Sequence, residues 1–324
     1  MACKSHTIKI CQINLHHAIK ATEQLRVEVT ESDTDLICIQ EPYVYQGKIY
    51  GLPISARAYY NKGENIRSGV FVFNENLSIL QIYASKDIVA VLVDGKSPFL
   101  LITCYFSPSE TIDDHLRCLS SLFDRFKNTS LVINGDVNCK HPLWGQNHMD
   151  SRGKKLAEFL LENNFVVNNN RNSFPTYSSV LGNSWIDITA SRLIKDIEIC
   201  NWQVSDKISL SDHNYIHFEI RNVIIDDTQN NQIKLKRLNW IALKELMFEN
   251  FSGIEINEDI ESQLHEINSI ICEICENVRF NYNDTGKKKT NSPWWNNRLN
   301  TERKKVRASR RRFQNSCGED RLNL

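Results

Sequence analysis

Short apolar runs alternate with amphipathic stretches through the first two thirds of this chain, and most of the runs end on polar residues. Thr7–Leu15 and Asp35–Gln40 are β-branched or apolar segments separated by a helical pattern over Ala18–Thr30, which predicts a β-α-β opening. From Ser68 to Phe106 strand follows strand: Gly69–Phe73, Leu77–Tyr83, Ile88–Val93 and Phe99–Tyr105, read as an antiparallel meander with Asn74-Glu75-Asn76 and Asp94-Gly95-Lys96 as turns. Ser109-Glu110-Thr111 opens a helix to about Phe126, because Leu116, Leu119, Leu122, Phe123 and Phe126 share one face. A strand at Ser130–Ile133, a helix at Ser151–Asn163 and strands at Ser184–Ala190 and Ile208–Ile220 complete the pattern. Mixed α/β alternation of this kind predicts two mixed sheets packed face to face with helices outside.

After Asn222 the pattern changes. Asp226-Asp227-Thr228-Gln229-Asn230-Asn231-Gln232 is a polar break, followed by helical patterns at Trp240–Phe251 and Glu258–Phe280, a polar linker at Asp284–Ser292 and a basic helix at Trp294–Phe313. The expected organisation is a catalytic domain over 1–222, a helical linker region over 223–286 and a basic tail over 287–324.

Charge sharpens that division. The 324 residues carry no formal net charge, yet residues 287–313 hold eleven Lys/Arg against the single acid Glu302, so the rest is acidic by about ten. With 41% hydrophobic and 24% charged residues the chain can bury a sizeable core. Ten cysteines suggest disulfides at first, but Cys11, Cys38 and Cys104 lie within apolar β runs and no secretory signal precedes Ile8. A reducing interior, nuclear or cytoplasmic, is expected, and not secretion. Cys272-Glu273-Ile274-Cys275 is a C-x-x-C without a second ligand pair nearby, read as two buried thiols one helical turn apart. No apolar run approaches a membrane span.

The chemistry lies in an ordered series at the ends of the runs: Gln12-Ile13-Asn14, Gln40-Glu41-Pro42, Tyr105, Gly135-Asp136-Val137-Asn138, Trp185-Ile186-Asp187 and Ser211-Asp212-His213. Phosphodiester hydrolysis needs an activated water, neutralised phosphoryl charge and a stabilised leaving oxygen. Glu41 is a hard carboxylate able to hold Mg²⁺, or simply a solvated loop residue after a strand. Asn14 can orient an anion or water without adding charge, or simply form a strand-end turn. Asp136 and Asn138 are two apart, on one face if the segment is extended, or part of an Asx turn beginning near Gly135. His217, between Ile216 and Phe218, is read as a packed or surface residue.

The order and spacing of these motifs over roughly residues 8–220 resemble the endonuclease/exonuclease/phosphatase superfamily, and their wording resembles the endonuclease of insect-type non-LTR retrotransposons. The stretches nearest to that branch are Asn138 to Gly145, Asn183 to Asp187, Leu210 to Asn214, and Pro293-Trp294-Trp295 with its basic helix. The resemblance implies a four-layer α/β sandwich and a Mg²⁺-dependent endonuclease, with Mn²⁺ as an alternative ion, that nicks duplex DNA so that the 3′-hydroxyl primes reverse transcription. Duplex DNA and the element's RNA are the implied partners, and no membrane. It also implies roles: Asn14, Glu41 and Asp212 at the metal, Asp136 and Asn138 on the water, His213 held by Asp187 and joined by Tyr105 on the phosphoryl oxygens, with Asp212 serving metal or leaving group.

Two departures matter. Repair-type AP endonucleases carry an acid two residues after the asparagine, where this chain has His16, and no Tyr/Phe-x-Asp-Asp polymerase motif occurs before Leu324. The competing readings are another phosphodiesterase of the same fold, acting on abasic DNA or a phospholipid headgroup, and an inactive nucleic-acid-binding remnant. Arg303-Lys304-Lys305-Val306-Arg307 and Arg310-Arg311-Arg312 can bind phosphates, or form a solvated helix or a nuclear-import signal.

Overall fold

A strand buried on both faces needs no polar alternation, and the runs of this sequence become such strands. The computed structural model describes residues 5–52, 56–63, 65–95, 97–194, 197–224, 239–252, 260–278 and 297–315. In chain order the elements are β1 (Ser5–Asn14), α1 (Ile19–Ser32), β2 (Leu36–Gln40), β3 (Val44–Tyr45), β4 (Lys48–Ile49), β5 (Arg57–Tyr59), β6 (Ser68–Val72), β7 (Ser78–Ala84), β8 (Ile88–Asp94) and β9 (Phe99–Tyr105). Then come α2 (Ile112–Arg125), β10 (Ser130–Asp136), a 3₁₀ turn (Pro142–Trp144), α3 (Ser151–Glu162), β11 (Val166–Val167), β12 (Tyr177–Ser179), β13 (Gly182–Ser184), β14 (Asp187–Arg192), β15 (Glu198–Val204) and β16 (Ile216–Ile224). Helices α4 (Trp240–Phe251), α5 (Ile260–Asn277) and α6 (Asn297–Asn315) follow.

Two six-stranded mixed sheets form, ordered β15-β16-β1-β2-β6-β5 and β11-β14-β10-β9-β8-β7. Their packing follows from the two-residue period of strand side chains. Ile8 and Ile10 of β1, Leu36 and Cys38 of β2, and Val70 and Val72 of β6 meet Val89, Val91, Phe99, Leu101 and Val132 between the sheets. The alternate residues Cys11, Ile13, Ile37 and Ile39 face Ala21, Leu25 and Val29 of α1. On the other side Leu100, Ile102, Leu131, Ile133 and Ile188 pack on Leu116, Leu119 and Phe123 of α2 and Leu156 and Leu160 of α3. The four-layer α/β sandwich is therefore present, helix on sheet on sheet on helix. Capping places two of these helices: Thr111 accepts from the Asp113 N–H, and Asp150 from the Gly153 N–H at 2.6 Å.

Two of the expected strands need correction, and one strand was not expected. The run 69–73 is not the first strand of a meander with the next three: β6 pairs with β2 and β5 in the first sheet, while β7, β8 and β9 form the meander in the second. The strand expected over 208–220 begins only at Ile216, because Ser209 and Ser211 fold the preceding segment into hydroxyl-bonded turns. Strand β15, whose register breaks between Cys200 and Gln203, carries too little alternation to be read in sequence.

The chain divides into two compact units, residues 1–227 with 297–324 and residues 228–296. In the second, Leu243 of α4 packs with Ile274 and Cys275 of α5 and with Val278, and Asn239 caps α4 by accepting from the Ile241 and Ala242 N–H groups. Cys272 is exposed, so the C-x-x-C is one buried and one exposed thiol, not two buried ones. All eight described cysteines are free. The polar break at 226–232, the linker at 284–292 and Pro293-Trp294-Trp295 lie outside the described residues. No helix among the described residues is long and apolar enough to cross a membrane.

Candidate active site

Strand register assembles the site. Parallel pairing of β1 with β2 sets Asn14 beside Gln40, and parallel pairing of β9 with β10 sets Asp136 beside Tyr105. Antiparallel pairing of β10 with β14 sets Asp187 on the other side of Asp136. Tyr105, Asp136 and Asp187 thus form one row across the end of the second sheet, opposite Asn14 at the end of the first. Gly135 permits the approach: its φ is +147°, and a Cβ there would lie 1.9 Å from the Cys104 carbonyl oxygen.

The side chains close the gap between sheets. Asn14 Nδ2 donates to Asp136 Oδ2 at 2.8 Å and to Glu41 Oε2 at 3.1 Å. His213 Nδ1 lies 3.0 Å from Asp187 Oδ2, and its Nε2 lies 3.7 Å from Asp136 Oδ2. Gln12 Nε2 donates to the other Asp187 oxygen at 3.4 Å. The Tyr105 hydroxyl hydrogen-bonds Glu41, and burial, with that carboxylate, raises its pKa well above the ordinary phenol value. Asn14, Asp136, Asp187 and His213 are buried.

Asn138 reaches Asp136 by a turn, not by strand alternation. Its φ is 46°, its backbone N–H donates to Asp136 Oδ1 at 3.0 Å and its Nδ2 to Oδ2 at 3.2 Å. Of the two sequence readings of this pair, the Asx turn is the one found, and the extended arrangement is not. Glu41, His16, His17 and Leu210 also hold left-handed backbone, with φ between 42° and 56°. Non-glycine residues rarely adopt it, and its concentration in the loops around these carboxylates is what strain at a functional site looks like.

Asp212 stands apart. Its carboxylate is half exposed and lies 3.7 Å from His16 Nδ1, at the rim and outside the buried hydrogen-bonded group. His16, the residue found where repair enzymes have an acid, thus meets Asp212. His217 is neither simply packed nor on the surface: its Nε2 lies 3.5 Å from buried Glu28, which Lys207 also contacts.

Electrostatically the cluster has more carboxylates than cations. Burial and the neighbouring Asp187 carboxylate push Asp136 up to about 7, despite the opposing pull of His213 and the Asn14 hydrogen bond. Burial works against a charged His213, but Asp187, Asp136 and Glu41 outweigh it and raise the imidazole to about 9. With both nitrogens protonated, His213 is a donor on each edge. Asp136, Asp187 and His213 each offer an atom within 4.8 Å of the others, a grouping able to hold a cation. The ligand chemistry, hard carboxylates and an amide with one buried carboxyl raised by crowding, fits a hard divalent ion.

Several supports were not legible as site residues. Ser211 Oγ donates to the Asn14 carbonyl at 2.8 Å and accepts from the His213 N–H, tying the last motif to the first. Thr176 Oγ1 accepts from the Ile186 and Asp187 N–H groups. Arg67 lies with its Cζ 5.3 Å from the Tyr105 ring centroid, while its guanidinium binds Asp87 at 2.5 Å and Glu110 at 2.8 Å. Tyr177 sets its ring edge-on to His213 at 5.0 Å, and the β12–β13 hairpin that it begins ends in Val180 and Leu181, 79% and 99% exposed. Only the motif spacing around Ser211 gave a signal for any of these.

A family profile described as Endonuclease-reverse transcriptase matches residues 99–217, which include Tyr105, Asp136, Asn138, Asp187, Asp212 and His213. The chain is similar to the solved endonuclease domain of TRAS1, a telomere-specific non-LTR retrotransposon, with a TM-score of 0.61 and 26% identity over 67% of this chain and 99% of that one. The chain has the fold of the endonuclease/exonuclease/phosphatase superfamily. It is also similar to a putative 115 kDa protein of the type-1 retrotransposable element R1DM of Drosophila melanogaster, 22% identical over 93% of this chain. A Pol polyprotein of the type-1 element R1 of Bradysia coprophila is 24% identical over 54% of it. These alignments span 31% and 19% of those longer proteins. The fold is shared with TDP2 of D. rerio, solved with a single-strand DNA product, at a TM-score of 0.50, 12% identity, and 66% and 98% coverage of the two chains.

Proposed function

We propose that residues 1–222 are a divalent-metal-dependent DNA endonuclease that nicks one strand of duplex DNA, as the first step of target-primed retrotransposition. The observation that carries this reading is the pair of hydrogen bonds from Asn14 to Glu41 and Asp136, which draws the motif carboxylates of two sheets into one group that includes the Asp187–His213 pair. Kinship to the retrotransposon endonuclease domain supports it.

Glu41 and Asn14 would hold the ion, with Asp212 reaching it or the leaving oxygen from the rim. When bound, Mg²⁺ or Mn²⁺ supplies charge neutralisation at the phosphoryl oxygens and the leaving oxygen. Asp136, lifted toward neutrality, is matched to accept a proton from water near neutral pH, and Asn138 orients that water from the same turn. His213, charged at neutral pH and fixed by Asp187, donates to a phosphoryl oxygen as negative charge grows, and the neutral Tyr105 hydroxyl donates beside it. The exposed apolar tip Val180-Leu181 suits a wedge against the minor groove, where base-step deformability supplies selectivity.

The deciding experiment is conversion of supercoiled plasmid to open circle in Mg²⁺ and its absence in EDTA. Cleavage of matched end-labelled duplexes with and without one abasic site tests the substrate. Intact duplex should be nicked at preferred positions; a strong abasic preference with intact DNA uncut would replace this reading by a repair role, and no metal-dependent nicking would remove it.

A further inference from the structure

Sequence left the C-terminal basic helix open between phosphate binding, simple solvation and nuclear import. In the structure α6 lies against the nuclease by one face. Arg310 Nη2 donates to Asn214 Oδ1, the residue after His213, and Asn214 in turn donates to the Pro175 carbonyl at the base of the exposed hairpin. Arg311 pairs with Asp206 in the turn after β15, and Arg307 lies 4.0 Å from Glu31 at the end of α1. These contacts fix one side of the helix beside the Ser211-Asp212-His213 segment. They consume part of its charge.

The rest points away. Arg298, Lys305 and Arg312 are exposed and recur every seven residues. At 100° per residue they fall within about 40° of one another, on the side opposite Arg310. The stripe they form is about 21 Å long, the length of about six base-pair steps at 3.4 Å each. Among them Lys305 pairs with Glu302, an exposed contact three residues away that a stronger anion would displace.

We infer that docked α6 is a part of the nuclease's DNA-binding surface: Arg307, Arg310 and Arg311 anchor it beside the catalytic histidine, and Arg298, Lys305 and Arg312 contact the phosphate backbone of the duplex flanking the nick. The inference rests on the endonuclease reading for its ligand. Charge complementarity selects the occupant, because a stripe of three cations, held beside His213 by the anchored face of the helix, is matched to a regular polyanion and carries no base-reading geometry of its own.

The test uses the full chain and a 30-base-pair duplex, with binding followed by fluorescence anisotropy in EDTA across a salt series. The triple variant Arg298→Gln, Lys305→Gln, Arg312→Gln should flatten the slope of log K against log salt by about 2 to 3, since each neutralised phosphate contributes about 0.9. The charge-reversed triple Arg298→Glu, Lys305→Glu, Arg312→Glu should flatten it further. An unchanged slope in both variants overturns the inference, as does a slope lost for single-stranded RNA and kept for duplex DNA. The two readings fail separately: wild-type protein that never nicks, with the slope still falling, defeats the endonuclease and leaves the surface standing.

Discussion

Asn14 and Asp136, 122 residues apart and on different sheets, meet through a 2.8 Å hydrogen bond from amide to carboxylate. Because the same amide reaches Glu41, one neutral side chain joins the first two acidic motifs. Replacing Asn14 with Leu removes both bonds and is expected to lower the nicking rate by about 10²-fold or more, the scale of a misplaced acid–base group. Asp136→Ala and His213→Ala should lose at least as much while remaining folded. Wild-type rates from any folded variant of the three would remove its assigned role.

Without metal the site should cost the protein stability as pH rises from about 6 to 9. Asp136 and His213 both have folded values above their ordinary ones, 3.8 and 6.5, so folding favours their protonated forms. Such a contribution is complete below the ordinary value and is lost as pH rises through the folded one. Unfolding free energy measured in EDTA should therefore fall as pH rises toward about 7 and fall again toward about 9. The second decline should vanish in His213→Asn. A rise in stability between pH 6 and 9 would contradict the assignment.

Mg²⁺ should oppose the first of those declines. A cation beside Glu41 and Asn14 favours the ionised Asp136 carboxylate, so binding releases a proton and strengthens with pH. The Mg²⁺-induced rise in Tm is expected to be larger at pH 8 than at pH 6 and small in Glu41→Gln. Equal shifts at both pH values would place the ion elsewhere.

Arg67 bridges buried Asp87 and half-exposed Glu110 while covering the Tyr105 ring, and His115 lies 3.2 Å from the same Asp87. Removing the guanidinium leaves the Asp87 carboxylate without its closest cation. Arg67→Ala should destabilise the domain by about 3 kcal/mol, the scale of a broken buried pair. Arg67→Lys keeps the charge but loses the fork that serves two carboxylates, and should fall between. Urea unfolding checks the order; a loss below about 1 kcal/mol for Arg67→Ala would make the network incidental.

Val180→Ser with Leu181→Ser should leave stability within about 0.5 kcal/mol, because both side chains are exposed. The distribution of nick positions on a long end-labelled duplex should nevertheless change. An identical cleavage ladder would show that the hairpin tip does not touch DNA.

Most of the fold was legible because strand and helix periods are local. Thr7–Leu15 reads as a strand from its β-branched and apolar residues, and the structure divides its two faces between the other sheet and α1. The site residues were legible from where they stand, each at the end of a run. Their partners were less so. Arg67 and Thr176 lie in segments with no chemical motif, and each acts on a residue brought close by the fold.

By itself the sequence determined most of the strands and helices, where most polar motifs end them, and that positive charge gathers after residue 286. Tertiary structure alone decided that β6 leaves its sequence neighbours for the first sheet, that the row Tyr105, Asp136, Asp187 faces Asn14, that Asp212 turns to the rim, and that α6 docks by Arg310. The physical reason is range. Side-chain alternation and capping act over a few residues and are written in the local order of the chain. Strand register, the left-handed turn at Glu41 and the meeting of two sheets are set by contacts between residues far apart in sequence.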